Sequence, residues 1–220
     1  MYCADWRFVR ERACCSRADR ERTITVDPAQ RPRRNVECKA LDPDPDRSLE
    51  VCRQIGAEDH GEIWQRDTYF QVSNGGLKLR EERPGKPHLI QFERADEPQQ
   101  RESRYRIIGV ENGPMLSAAL AAAIGCRVVV AKRRRLFLWR DVRIHLDNVE
   151  QLGRFIELEA VALPDSDLVH EHRLVAELRE ALVITDDRLI AIGYAEQLRI
   201  KGDQSTRTVD TTKDPASRSS

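Results

Sequence analysis

The sequence predicts an α+β fold in which antiparallel strands curl around a charged interior. Eight segments have the composition of strands and follow one another in hairpin succession, which favours antiparallel pairing. Several of them carry charged side chains two residues apart, so that both charges share one face of the strand. Helical segments interleave with the strands and end the fold, which distinguishes it from a purely β fold.

The strand candidates are alternating or apolar runs bounded by turn residues. Asn74-Gly75 lies between two of them and is a strong hairpin signal, because both residues tolerate a positive φ. The segment 148–153 is a short connection that makes the last two strands antiparallel neighbours. The eight predicted strands are residues 35–40, 64–72, 76–81, 87–94, 103–110, 127–139, 142–147 and 154–161.

The helices are predicted from apolar residues at helical spacing and from their capping residues. Gly125 follows one helix in the usual carboxy-terminal cap position, and Ser166 is placed to cap another at its amino end. The predicted helices are residues 46–55, 114–124, 166–182 and 185–192.

A chain of 220 residues is expected to form one domain with room for tails. Residues 1–33 are rich in arginine and show little apolar periodicity, and the segment from residue 201 is rich in Ser, Thr, Asp and Lys. We therefore expect a disordered extension at 1–33, a folded domain at 34–200 and a disordered tail at 201–220.

The charge balance limits the classes of partner. Lys plus Arg and Asp plus Glu each number 37, so the formal net charge is zero. A general nucleic-acid binder would show a basic excess, and none is present. No run approaches the ~20 apolar residues of a membrane-spanning helix, so neither nucleic acid nor membrane is expected as a partner.

The six cysteines are scattered and form no Cys-x-x-Cys pair. That spacing is typical neither of a zinc site nor of a disulfide framework, and it favours free thiols in a reducing compartment. The amino terminus lacks the apolar core of a signal peptide. Together these observations predict a cytoplasmic protein.

Charges of both signs repeat along the inner or outer faces of most strands. Carboxylates are the hard oxygen ligands that Mg²⁺ and Mn²⁺ prefer, whereas Arg and Lys grip phosphate oxygens. The acidic candidates for a metal site are Glu37, Asp147, Glu157 and Glu159. The basic candidates for a phosphate site are Lys39, Lys78, Arg80, Arg94, Arg104, Lys132 and Arg134.

The alternation alone leaves two interpretations open. In the first, the charged faces line one cavity that holds a polyanion and a metal. In the second, the charged faces point to water, and the apolar residues between them form the core. His145 shares a strand face with Asp147 and belongs either to the cavity or to the end of a surface strand. The sequence contains neither GxxxxGK[ST] nor GxGxxG, so bound phosphates would be held by side chains rather than by a glycine-rich loop.

Several segments in this order resemble the CYTH family, named for class IV adenylate cyclase and thiamine triphosphatase and also called triphosphate tunnel metalloenzymes. The resemblance covers about residues 35–198 and is closest to the class IV adenylate cyclase branch. It is carried by Asn35-Val36-Glu37-Cys38-Lys39, Asp67-Thr68-Tyr69-Phe70, Leu77-Lys78-Leu79-Arg80-Glu81, Leu89-Ile90-Gln91-Phe92-Glu93-Arg94, Lys132-Arg133-Arg134, His145-Leu146-Asp147-Asn148-Val149-Glu150-Gln151-Leu152-Gly153 and Phe155-Ile156-Glu157-Leu158-Glu159.

The resemblance implies an eight-stranded antiparallel β-barrel that forms a triphosphate tunnel with flanking helices. Glu37 and Lys39 resemble the second Glu and the Lys of the family's ExExK motif, and Glu157 and Glu159 resemble its late acidic pair. These four are the implied catalytic residues, and Glu37, Asp147, Glu157 and Glu159 are the implied metal ligands. The implied substrate-binding residues are Lys39, Lys78, Arg80, Arg94, Arg104, Lys132, Arg134 and Arg143.

Asn35 departs from the family pattern, because it stands where ExExK has its first Glu. An amide oxygen coordinates Mg²⁺ but carries no charge. We expect this change to weaken one metal site, the second of two, without affecting the fold.

The predicted function is that of an enzyme that uses Mg²⁺ or Mn²⁺ to act on a triphosphate-containing small molecule. A phosphohydrolase of inorganic tripolyphosphate, thiamine triphosphate or a nucleoside triphosphate is the first interpretation. A class IV adenylate cyclase that makes cyclic AMP and pyrophosphate is the second. A binding module with weak catalysis, because of Asn35, is the third. The protein is expected to be a monomer or a homodimer.

Overall fold

A computed structural model describes residues 32–94 and 100–210 of the chain, the last seven by their backbone alone. The described part contains eight strands and four α-helices. The strands are β1 (Arg33–Leu41), β2 (Glu58–Phe70), β3 (Gly76–Arg83), β4 (His88–Arg94), β5 (Arg101–Gly109), β6 (Cys126–Trp139), β7 (Val142–Val149) and β8 (Gly153–Ala162). The helices are α1 (Pro45–Gln54), α2 (Gly113–Ile124), α3 (Val169–Ala181) and α4 (Tyr194–Asp210).

The eight strands form one closed antiparallel barrel in the order β1-β5-β4-β3-β2-β6-β7-β8. Five of its seams join strands that are neighbours in sequence, such as β3 with β4 and β7 with β8. The other three pair β1 with β5, β1 with β8 and β2 with β6. The predicted α+β fold with an eight-stranded antiparallel barrel is thereby confirmed.

The barrel has its apolar side chains on the outside over part of its wall. Val36 and Cys38 of β1 are buried together with Leu158 of β8 in one cluster that includes Leu174 and Leu178 of α3. Since side chains alternate along a strand, Glu37 and Lys39 then point to the barrel interior. Helices α1 and α3 therefore supply the hydrophobic core from outside, and the interior is left to charged side chains.

A second, smaller core forms where α4 meets β6, β7 and β8. Phe155 and Tyr194 pack with ring centroids 5.0 Å apart, and Val130 and Val149 are buried beside them. This packing places the side chain of Tyr194, in the first turn of α4, among the charged residues of the barrel interior.

Strand β2 begins at Glu58, six residues before the predicted start at 64. Gly61 has φ +81° and lies at a register shift between Asp59 and Glu62, where β2 pairs with β6. This bulge interrupts the alternation of side chains, and the extra residues are mostly polar, so they show no periodic pattern of apolar residues.

The helix predicted at 185–192 is wrong. Only a single 3-10 turn forms, at Asp186–Arg188. Leu189 instead bridges Ala40, and the Ile190 N–H donates to the carbonyl of Lys39 at 2.8 Å, because the chain runs extended beside β1.

Helix α4 continues to Asp210, beyond the predicted domain end at 200. The predicted extension at 1–33 lies outside the described residues except for its last two, and so does the tail from 211. Among the helices that the structure describes, none combines the length and apolar character needed to cross a membrane.

Candidate active site in the barrel interior

The barrel encloses a cavity of about 760 Å³, including the space at its open end. Ligand pockets of several hundred Å³ are common in enzymes. Among the described residues, seven cationic and four anionic side chains line it, which leaves a formal surplus of three positive charges. The lining cations are Lys39, Lys78, Arg80, Arg94, Lys132, Arg134 and Arg143, and the anions are Glu37, Asp67, Glu157 and Glu159.

Glu157 is held by two cations. The Lys39 ammonium donates to Oε1 at 3.0 Å, and Nη2 of Arg134 donates to Oε2 at 2.6 Å. The first contact follows from strand register, since Lys39 and Glu157 are direct partners in the β1–β8 ladder. Burial raises the pKa of this carboxyl, but Lys39 and Arg134 outweigh burial and hold the pKa well below its usual range.

Asp147 lies behind the cavity lining and positions two of the cations. Its side chain is fully buried, and both of its oxygens accept from the Arg134 fork at 2.6 Å. Lys132 donates to Oδ2 at 3.1 Å and the Tyr194 hydroxyl donates to it at 2.9 Å. With four hydrogen bonds already made, this carboxylate orients Arg134 and Lys132 toward the cavity.

Lys132 is a lining cation whose charge can change near neutral pH. Its side chain is buried, and burial together with the nearby Arg134 lowers its pKa to about 7. An anion in the cavity would favour the charged form, so binding would take up a proton.

A second group of charges is built by β2 and β3. Asp67 and Arg80 are direct ladder partners, and the two-point contact of Arg80 with Asp67 is 2.7 Å at both ends. Lys78 donates to the same carboxylate at 2.9 Å. Asp67 thus fixes two phosphate-binding candidates in one orientation.

Glu37 is the acceptor for two arginines. Arg94 of β4 donates to Oε1 at 3.1 Å, and Arg101 of β5 donates to the same atom at 3.0 Å. Arg101 is the ladder partner of Glu37 and also donates to the carbonyl of Ala191. A side chain at Gly193 would place Cβ 2.2 Å from Nη2 of Arg94, so only a glycine lets Arg94 take this position.

Glu159 differs from the other lining carboxylates, because no hydrogen bond to a described residue holds it. Arg143 approaches it only to 3.6 Å. Burial, and next the negative charge of Glu157, raise its pKa. An additional cation beside Glu159 would stabilise its charged form against both burial and the repulsion from Glu157.

His145 completes a group of potential metal ligands with Glu157 and Glu159. One ligand atom from each lies within 4.8 Å of the others. Nδ1 of His145 is 3.8 Å from Glu159 and 4.0 Å from Glu157, is buried, and has no hydrogen-bond partner among the described residues. Burial lowers the pKa of this imidazole well below its usual range, which keeps it neutral and able to donate a lone pair to a metal. The residues present therefore fit a divalent cation.

The structure brings most of the predicted site residues together around one cavity. The exception with a clear geometric cause is Arg104, which points outward, is 56% exposed and pairs with Glu102 at 2.8 Å. Since Arg101, Ser103 and Tyr105 of β5 face inward and are buried, the residue between them must face outward. The prediction that Arg104 is a substrate-binding residue of the cavity is therefore wrong.

Three residues of the site were missed by the sequence reasoning. Asp67 alternates with Tyr69 on its strand, which was a usable signal. Arg101 preceded the predicted start of its strand at 103. Tyr194 has no signal in its own segment, because its position depends on α4 packing against the barrel.

The comparisons with known proteins agree with this architecture. PH1012 from Pyrococcus horikoshii superposes with a TM-score of 0.66 at 21% identity, over 74% of this chain and 98% of that one. A Vibrio parahaemolyticus protein described as an adenylate cyclase candidate superposes with a TM-score of 0.63 at 20% identity, over 75% and 97% of the two chains. HpAC1 from Hippeastrum superposes with a TM-score of 0.51 at 13% identity, over 77% and 96%.

At these identities the structural likeness establishes the fold. No curated protein matches the sequence significantly. The sequence profile of the CYTH domain, however, matches residues 33–187, which span all eight strands of the barrel. The chain therefore belongs to the CYTH family.

Proposed function

We propose that the protein is a metal-dependent triphosphatase that hydrolyses the terminal phosphate of a triphosphate held inside the barrel. The observation that carries the proposal is the surplus of three positive charges in a cavity lined by Glu157 and Glu159, which form a group of potential metal ligands with His145. A triphosphate chain with one divalent cation would use both features, and a neutral ligand would use neither.

The cations would hold the phosphate chain in place. The guanidinium groups of Arg80 and Arg134 are each fixed through Nε and Nη2 by a carboxylate, so little side-chain freedom is lost on binding. Lys39 and Lys78 add point charges from β1 and β3. Such fixed charges stabilise the negative charge that develops on the transferred phosphoryl group.

Glu159, Glu157 and His145 would hold the divalent cation, with Glu37 nearby on the neighbouring strand. Once bound, the cation supplies neutralisation of phosphate oxygens and polarisation of the phosphorus. In the reaction, a water oxygen forms a bond to the terminal phosphorus and the bridging P–O bond breaks with its electron pair on the diphosphate oxygen. Orthophosphate and a diphosphate leave, and the proton lost by water passes to the solvent. The dominant triphosphatase activity described for HpAC1, which shares the fold, is consistent with this reaction.

The test is to incubate the purified protein with Mg²⁺ or Mn²⁺ and with tripolyphosphate, ATP or thiamine triphosphate, and to separate the products. Orthophosphate supports the proposal. Formation of cyclic AMP and pyrophosphate would instead indicate an adenylate cyclase. Binding of the triphosphate without either product would indicate a binding module.

The matched variants are Glu159→Gln in the cavity and Glu62→Gln on the barrel exterior, where the side chain is 53% exposed. We expect Glu159→Gln to lose metal-dependent turnover while tripolyphosphate still binds, and Glu62→Gln to keep both. Turnover that survives Glu159→Gln would remove Glu159 from the metal site.

A further inference from the structure

The first residue of α4 places an aromatic ring beside two lysines of the cavity. Tyr194 is 4% exposed and lines the cavity. The ammonium nitrogen of Lys39 lies 3.7 Å from the centroid of its ring, and that of Lys132 lies 5.1 Å from the same centroid. Both distances are within reach of a cation–π interaction, which is strongest where water is excluded.

The hydroxyl of Tyr194 reaches a buried carboxylate. It donates to Oδ2 of Asp147 at 2.9 Å, and the same oxygen accepts from Lys132 at 3.1 Å. Burial, and next the negative charge of Asp147, hold the pKa of this hydroxyl well above its usual range. The hydroxyl therefore keeps its proton and acts on Asp147 as a hydrogen-bond donor.

Lys39 is held on two sides by these contacts. Its ammonium group has three N–H donors, and Glu157 accepts from it at 3.0 Å. A lysine stem is flexible, so one hydrogen bond leaves the ammonium group several orientations. The ring of Tyr194 restricts them, and the N–H of Ile190 in the preceding segment donates to the carbonyl of Lys39 at 2.8 Å. One stretch of chain thus fixes both the backbone and the charged end of this lysine.

Packing alone does not account for a tyrosine at this position. The ring of Phe155 lies 5.0 Å from that of Tyr194, and Val130 and Val149 are buried beside them. An apolar side chain would also fill this core, but it would leave the buried Asp147 with one hydrogen bond fewer. The contacts with charged groups therefore indicate a role beyond anchoring α4.

We propose that Tyr194 is a positioning residue for the phosphate chain in the barrel. Its ring fixes the ammonium group of Lys39. Its hydroxyl fixes Asp147, the carboxylate that orients Lys132 and Arg134. The inference rests on the proposed function for the identity of the bound chain, and it makes the first turn of α4 a part of the phosphate site.

The test is calorimetric titration of the full chain with tripolyphosphate in the absence of divalent metal, so that turnover does not contribute. Tyr194→Phe removes the hydroxyl and keeps the ring, whereas Tyr194→Leu removes both. We expect Tyr194→Phe to weaken tripolyphosphate binding about threefold, because Asp147 loses one of its donors. We expect Tyr194→Leu to weaken it about tenfold further, because Lys39 loses the aromatic face.

The matched control is Leu198→Ala. Leu198 packs against the same small core from α4 and is not among the described residues that line the cavity. This variant loosens the packing of α4 and should bind tripolyphosphate like the wild type. A loss of affinity in Leu198→Ala as large as that in Tyr194→Leu would mean that Tyr194 acts through packing alone, and would overturn the inference.

A second comparison determines whether the ring acts through Lys39. In a Lys39→Met background the ring has no nearby ammonium group of that residue to fix. We therefore expect Tyr194→Leu and Tyr194→Phe to bind tripolyphosphate within about twofold of each other in that background. A difference that stays at about tenfold without Lys39 would contradict the assigned role of the ring.

The outcomes separate this inference from the proposed function. If the wild type binds no tripolyphosphate, the proposed function falls and the positioning role falls with it. If the wild type binds tripolyphosphate and both Tyr194 variants bind it equally tightly, the positioning role is overturned while the triphosphate site stands.

Discussion

Asp67 and Arg80 lie directly opposite each other on β2 and β3 and form a two-point ion pair inside the barrel, with both contacts at 2.7 Å. Lys78 shares the same carboxylate at 2.9 Å. The pair is buried, with the Asp67 side chain 3% exposed. Asp67 therefore neutralises two cations that would otherwise repel each other inside the barrel.

We expect Asp67→Asn to reduce the free energy of unfolding by about 3 kcal/mol, because it leaves two buried cations without their carboxylate. Urea denaturation measures the loss. The control is Asp59→Asn, which removes the two-point partner of Arg135 on the partly exposed surface. A surface pair is worth only about 0–1 kcal/mol. Tripolyphosphate in the buffer should restore part of the stability lost in Asp67→Asn but none in the control, and equal losses in the two variants would contradict this role.

The affinity for tripolyphosphate should depend on pH through Lys132. Its pKa in the free protein is lowered to about 7, and a bound anion raises that value. Affinity is thus unaffected by Lys132 well below pH 7 and falls as the pH rises through 7, because a proton must be taken up on binding. The measurement is calorimetric affinity between pH 6 and 9, in wild type and in Lys132→Arg.

Arginine stays charged over that range, so the difference between the two proteins isolates Lys132 from the titration of the ligand itself. Parallel pH profiles for the wild type and the arginine variant would show that Lys132 does not titrate in this range.

His145 should bias the metal site toward cations that accept nitrogen ligands. Imidazole suits Zn²⁺, whereas Mg²⁺ and Mn²⁺ prefer oxygen. We expect His145→Gln to weaken Zn²⁺ binding at least about tenfold and to change Mg²⁺ binding far less. Direct metal titration without triphosphate measures both, with His172→Gln on the exposed face of α3 as control. Equal losses of affinity for all metals would mean that His145 shapes the site without binding the metal itself.

Gly193→Ala should disturb Arg94, since the new Cβ would lie 2.2 Å from Nη2 of that arginine. The guanidinium is the end of a flexible side chain, so we expect the fold to persist and Arg94 to leave Glu37. Losing one charge-assisted contact should weaken tripolyphosphate binding about tenfold. Gly109→Ala, which has open space around its Cβ, is the matched control, and equal affinities in the two variants would exclude Arg94 from the site.

The alternation of side chains identified charged residues that the structure places around one cavity. Glu37 with Lys39 and Glu157 with Glu159 are two residues apart on their strands, and the structure places each pair on the inner face. The alternation did not say which face was inside. That choice comes from the apolar residues between them, which pack on α1 and α3.

Arg104 shows where this reasoning fails. Its strand carries arginines on both faces, and only the pairing of β5 with β1, in which Arg101 lies opposite Glu37, decides which of them reach the cavity. Tyr194 was unpredictable for a related reason. Its helix follows a segment that was wrongly assigned as helical, and its contact with Asp147 spans 47 residues.

The ion pairs inside the barrel also affect how strongly ligand binding depends on ionic strength. Arg94 and Arg134 pair with carboxylates of the protein itself, Glu37 and Asp147. We expect a polyanion that enters to exchange with these internal carboxylates and to release few dissolved ions. Its affinity should therefore fall less steeply with added KCl than that of an exposed basic patch, whose attraction is screened over about 10 Å at 0.1 M.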